Sequence, residues 1–137
     1  MIFLYNMVIY CTKRYINIKM KLITQNIESM GVSVDYMVGE NAQDNDAVID
    51  AASPDDYWFH SGYTSSTHVV AIIPTDLILD KKQKKLIITQ GAVLCKQYTS
   101  KIRSKQHVEI VFTKIKNLVK TEVPGQVIMV NSKTIII

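Results

Sequence analysis

At 137 residues and 47% hydrophobic content, the chain is long enough to bury one core and too apolar to stay disordered. No apolar run reaches the ~18–20 residues needed to cross a bilayer as a helix, so no membrane partner is expected. The formal net charge of +4 is unevenly spread: residues 1–75 carry four Lys or Arg against eight Asp or Glu, and residues 76–137 carry twelve against four. A basic half of this kind points to a polyanionic partner rather than to a fold.

The first residues, Met1-Ile2-Phe3-Leu4-Tyr5, are apolar, but they lack the basic leader and small-residue cleavage site of a signal peptide. They read as an N-terminal extension over residues 1–20, with a strand near Phe3 to Cys11, on an intracellular, cytoplasmic protein. The domain proper is expected over residues 21–137. Cys11 and Cys95 are far apart and form no C-x-x-C pattern. They read as two buried thiols, with a disulfide or a metal pair as the alternatives.

Lys21 to Ile27 and Val32 to Val38 predict two strands around Glu28-Ser29-Met30-Gly31, with Gly31 suited to a positive-φ turn position. Apolar residues at every even position from Val32 to Val38 mark a half-buried strand. A short helix follows from Asn41 to Ala52, with Asn41 or Asp44 as its cap and Ala47, Val48 and Ala51 on its apolar face. Ser53-Pro54 ends it. Tyr57 to His60 and His68 to Ile73 then form a hairpin around a polar loop, 61–67. A symmetric register sets His60 opposite His68. Alternation along the strand sends one of Trp58 and Phe59 inward and the other outward.

Asp80 and Gln83 have the spacing of a capping box opening a longer helix, expected to run to about Arg103 with Gly91 packed closely inside it. Lys81, Lys82, Lys84 and Lys85 crowd its start, where cations oppose the helix dipole. Val108 to Phe112 is a strand, and Thr113 to Lys120 a basic loop or edge segment. Pro124-Gly125 suits a type II turn. Gln126 to Val130 and Lys133 to Ile137 read as a hairpin-like pair around Asn131-Ser132. Six to eight strands and two helices give an α+β class: a mostly antiparallel sheet with one short and one longer helix.

Several of these segments resemble one family. Gly39-Glu40-Asn41-Ala42-Gln43-Asp44-Asn45-Asp46 is similar to its Gly-x-Asn-x-x-x-Asn-Asp segment. Asp55-Asp56-Tyr57-Trp58-Phe59-His60, then Ser66-Thr67-His68-Val69, resembles its central signature. Tyr98-Thr99-Ser100-Lys101, Val111-Phe112-Thr113 with Asn117 to Lys120, Pro124-Gly125-Gln126-Val127 and Lys133-Thr134-Ile135 follow in the same order and spacing. The family is NFACT-R, an RNA-binding domain found at the ends of NFACT-type ribosome quality-control factors and as small stand-alone proteins. The match covers roughly residues 21–137. The chain departs from the pattern at Glu40, where the family usually has a basic residue, and at Ser66-Thr67-His68, where it usually has Gly-Ser-His.

The resemblance implies a non-catalytic RNA-binding module without a cofactor, acting on tRNA or ribosome-associated RNA. The candidate contacts are His60, Tyr63, Ser66 and His68 on the hairpin rim, with Lys96, Lys101, Arg103, Lys105, Lys114, Lys116 and Lys120 lining one basic side. Cations suit phosphates and flat rings suit unpaired bases. Three alternatives stay open: an adaptor docking on ribosomal or other translation proteins, a metal-independent nuclease using His60 and His68 as base and acid, and a zinc site on the same pair.

Overall fold

A computed structural model of the chain describes residues 20–137. The strand expected at Phe3 to Cys11, and Cys11 itself, lie outside the described residues.

Strands β1 (Lys21–Ile27) and β2 (Val32–Gly39) pair antiparallel around a short 3-10 turn, with Gly31 at φ 65°. Helix α1 (Ala42–Ala51) starts at Asn41, whose side chain accepts from the Asp44 amide, so Asn41 rather than Asp44 is the cap. The helix stops one residue earlier than expected because Ala52 is already extended ahead of Pro54. Then come β3 (Tyr57–Ser61), β4 (His68–Ile72), α2 (Lys81–Gln97), β5 (Glu109–Lys114), β6 (Leu118–Lys120), β7 (Val127–Met129) and β8 (Lys133–Ile136). The main sheet has six strands in the order β1-β2-β4-β3-β5-β8, every pairing antiparallel, and β6-β7 form a separate two-stranded sheet. This is the expected α+β class.

The two helices cover opposite faces of the main sheet. Ala47, Val48 and Ile49 of α1 pack with Met37, Trp58 and Val70, whereas Ile87, Ala92, Leu94 and Cys95 of α2 pack with Tyr36, Phe59 and Val69. Trp58 and Phe59 point to opposite faces, yet both are buried, at 1% and 0% exposure. The outward-facing partner expected from alternation does not exist, because the sheet has no bare face at its centre. Burying two such rings contributes roughly 2–3 kcal/mol each.

Gly91 makes the α2 face possible. A Cβ there would lie 2.3 Å from the Phe59 ring. The capping box at Asp80 and Gln83 forms as the sequence indicates. The helix, however, ends at Gln97 rather than near Arg103. Thr99 Oγ1 bonds back to the Cys95 carbonyl, and the Thr67 hydroxyl donates to the Tyr98 carbonyl, so loop side chains take over from the helical ladder. Residues 98–104 continue as turns.

The C-terminal strands also depart from expectation. Rather than pairing with each other, β7 pairs with β6 and β8 joins the main sheet beside β5. Two features separate them. Asn131, at φ 53°, redirects the chain, and Ile135 packs against the α2-side core. The Pro124-Gly125 turn, with Gly125 at φ 80°, closes β6 onto β7. Gly125 donates its amide to Asp46, which seats the small hairpin on α1.

Gly91→Ala tests the packing directly. Alanine improves helix propensity by ~1 kcal/mol, but overpacking against a buried ring costs about 1–3 kcal/mol or more. A lower urea midpoint at unchanged m-value is the expected result. A higher midpoint would mean that Phe59 yields freely.

Candidate nucleic-acid interface

The ladder joining β3 to β4 runs Tyr57↔Ala71, Trp58↔Val70, Phe59↔Val69, and its next step places His60 beside His68, as the symmetric hairpin predicts. The two imidazole rings meet edge to face, with centroids 5.0 Å apart. His60 also stacks on Trp58 at 5.6 Å, with the planes 7° apart. The Trp58 indole N–H donates to His68 Nδ1 at 3.2 Å, inside the fold. The His68 backbone amide donates to Asn45 Oδ1, which ties the start of β4 to α1.

These bonds assign the tautomers. His68 Nδ1 accepts, so its proton sits on Nε2. His60 Nδ1 lies 2.7 Å from the Ser61 carbonyl and donates to it, leaving Nε2 as an acceptor. Among the described residues neither Nε2 has a protein partner. Burial disfavours the charged form of both imidazoles: it lowers His60 from its usual value, opposed by the Ser61 bond, and with the neighbouring His60 it pushes His68 down to about 3.

Above this pair opens a cleft of about 620 Å3, lined by both histidines and Trp58. Its walls are the start of α1 at Glu40, Asn41 and Asn45, the Ser65–His68 end of the loop, the Tyr98–Lys101 turn after α2, and the Pro124–Gln126 turn of the small hairpin. Ser66 and Thr67 hold the loop: Ser66 Oγ accepts from the Ser61 amide, and the Thr67 amide donates to Thr99 Oγ1. Cys95 is buried beneath them, its thiol donating to the Thr67 carbonyl, and burial pushes it up to about 12. Glu40 is ion-paired with Lys21, whose ammonium lies over the Tyr98 ring. The acid that departs from the family pattern therefore has a cation partner of its own in the fold.

The candidate residues do not form one continuous side. His60, Ser66, His68 and Lys101 line the cleft, with Lys101 donating to Ser65 on its rim. Arg103 and Lys105 are exposed just after Lys101 but do not line the cleft, nor does Tyr63, which is 79% exposed on the hairpin loop with its hydroxyl bonded to Glu109. His68 is 1% exposed, so it serves as cleft floor and not as the open stacking face expected for it. Lys114 pairs with Tyr57 in the sheet, at the far end of β3 from Ser61, about 13 Å away at strand spacing. Lys114 and Lys116 share Asp55 there, and this holds the Asp55 carboxyl below its usual range, chiefly through the Lys116 hydrogen bond. Lys120 is paired with Asp50 of α1, and Lys96 reaches the Ile137 carbonyl. The neighbouring Asp56 is buried and structural, accepting from the Ser53 and Ile73 amides. Sequence reasoning missed the Asn41/Asn45 and Pro124–Gln126 walls, although both lie in segments that carry the family resemblance.

The NFACT protein RNA binding domain family matches residues 24–133. The chain belongs to this family. No curated protein matches it. Among solved structures, the C-terminal part of the fibronectin/fibrinogen-binding protein from Streptococcus suis is similar, with a TM-score of 0.68 and 24% identity over 96% of this chain and 53% of that one. The chain thus spans about half of that protein's solved length, and the likeness establishes the fold. Family membership makes this domain a nucleic-acid-binding module of the RNA-binding kind. Acid–base cleavage by this pair needs one protonated imidazole near neutral pH, and burial disfavours the charged form of both His60 and His68. Among the described residues no three His, Cys, Asp or Glu side chains gather as a metal site.

The buried His68 has a consequence for stability. Unfolded, it takes a proton near pH 6.5; folded, it resists until about 3. Between these values the unfolded state binds more protons, so stability falls as pH drops, by up to about 1.4 kcal/mol per unit. Urea midpoints at pH 7 and pH 5 should separate more for the parent than for His68→Gln. Equal separations would show that His68 titrates normally in the fold.

Proposed function

We propose that this chain binds RNA, of tRNA or ribosome-associated type, by seating one unpaired base in the cleft. The observation that carries the reading is the pair of imidazole edges on the cleft floor. His68 Nε2–H is a donor and His60 Nε2 an acceptor, and both lack a protein partner among the described residues. Every nucleobase carries neighbouring donors and acceptors on its pairing edge, so an unpaired base complements such a pair, whereas a base in a duplex does not present that edge. Tyr63 offers an exposed ring on the loop. Lys101 lines the cleft, and exposed Arg103 and Lys105 follow it in the chain, where phosphates flanking the seated base would pass.

Affinity should depend on salt. With about five phosphates of a single strand neutralised, log K falls against log salt with a slope near −3.5. Anisotropy titrations of labelled single-stranded RNA and tRNA across a salt series test this, beside a Lys101→Glu/Arg103→Glu/Lys105→Glu variant. The expected result is salt-sensitive binding that the variant weakens by more than tenfold. A flat salt response, or a variant that binds like the parent, contradicts the reading.

A second reading, an adaptor docking on ribosomal or translation proteins, is favoured by one feature. Val119, Ile128 and Val130 are exposed apolar side chains on and beside the β6-β7 sheet. An Ile128→Asp/Val130→Asp variant that keeps RNA affinity but no longer cosediments with purified ribosomes would support it.

A further inference from the structure

We infer that the chain carries a second RNA contact, a basic groove between the start of α2 and the β5-β8 edge of the main sheet. The inference rests on the RNA-binding reading and adds a site to it. The groove encloses about 530 Å3 and is lined by Lys81, Lys84, Lys85, Lys114 and Lys133, with no acidic side chain among its lining residues. Three of these lysines come from the first turns of α2, where residues spaced three and four apart share a face. The other two come from strands: Lys114 ends β5, and Lys133 opens β8 directly opposite Phe112.

The floor of the groove is aromatic. Tyr57 and Phe112 meet edge to face there, with centroids 6.4 Å apart. Asn117, Asn131 and Thr134 add polar groups to the walls. Lys81, Lys84, Lys85 and Lys133 have no ion-pair partner among the described residues, and Lys114 shares its single partner, Asp55, with Lys116. The carboxylate nearest in sequence, Asp80, is engaged by the Gln83 amide as the helix cap.

This arrangement carries a standing electrostatic cost. Cations at a helix start oppose the dipole. Converging from three elements on one concavity, they also repel each other. A polyanion removes both penalties. An aromatic floor between the lysines distinguishes a nucleic-acid strand from an acidic peptide, because a base can stack where the phosphates are held. The groove and the cleft sit at opposite ends of α2, about 24 Å apart at helical rise. A single strand long enough to reach both is held at two points, and its affinity exceeds that of either contact alone.

The test uses the full chain and a labelled single-stranded RNA of about 20 nucleotides, again across a salt series. Lys81→Gln/Lys84→Gln/Lys85→Gln removes three charges from the groove. Lys82→Gln removes a charge from the same turns of α2, at a position that does not line the groove. The groove variant should lose about 2 from the magnitude of the salt slope, from three lost phosphate contacts at ~0.7 each. The control should stay near the parent slope. Groove and control variants with the same slope would overturn the inference while leaving the cleft reading intact. RNA binding lost only in the groove variant, and kept in the Lys101/Arg103/Lys105 charge reversal, would sustain the groove and sink the cleft. A parent chain that binds no RNA at low salt would overturn both.

Discussion

A single buried hydrogen bond, from the Trp58 indole to His68 Nδ1, governs the middle of this fold. Indole can only donate, so a buried indole N–H requires an acceptor. Histidine can accept through one nitrogen only while that nitrogen is unprotonated, and burial keeps it so. The bond therefore fixes the charge and tautomer of His68, and with them the hydrogen that Nε2 presents. His60, stacked on the same indole, is fixed in the complementary tautomer by the Ser61 carbonyl. The sheet core and the floor of the cleft are thus two sides of one cluster.

The rest of the architecture follows from covering that sheet twice. With α1 on one face and α2 on the other, no open sheet surface is left at the centre for a nucleic acid to lie on. The concave surfaces lie at the two ends of the strands instead. At one end, the loop after β3, the start of α1, the turn after α2 and the Pro124–Gln126 turn converge on the cleft. At the other, the lysine-rich start of α2 meets β5 and β8. Each helix contributes to a site through its termini, while its middle turns are spent on packing. Gly91 lets α2 approach Phe59, and Gly125 lets the small hairpin rest against Ala42 of α1.

Much of this was legible in the sequence. The hairpin register, a cap at Asn41 or Asp44, the capping box at Asp80 and Gln83, and the α+β class all rest on local rules of periodicity and side-chain geometry. The failures were non-local. Alternation along β3 says that Trp58 and Phe59 face opposite ways, but not that both faces are covered. The end of α2 depends on Thr67, some thirty residues away in the chain, capturing the Tyr98 carbonyl. The partners of β7 and β8 depend on which core receives Ile135. The basic half was visible as composition. Composition cannot show that Lys114, Lys116 and Lys120 are paired to Asp55 and Asp50 while the lysines at the start of α2 have no ion-pair partner among the described residues. The dipole conflict at Lys81 to Lys85 was the one sequence signal of the groove.

The most direct measurement is long-range proton–nitrogen NMR of the histidine side chains at neutral pH, without and with a short single-stranded RNA. The account expects His68 as a neutral Nε2–H tautomer and His60 as a neutral Nδ1–H tautomer in the free chain. On adding RNA, both Nε2 resonances should shift as the cleft fills. A protonated His68, or imidazole resonances unmoved at saturating RNA, would contradict the claim that this pair reads a base.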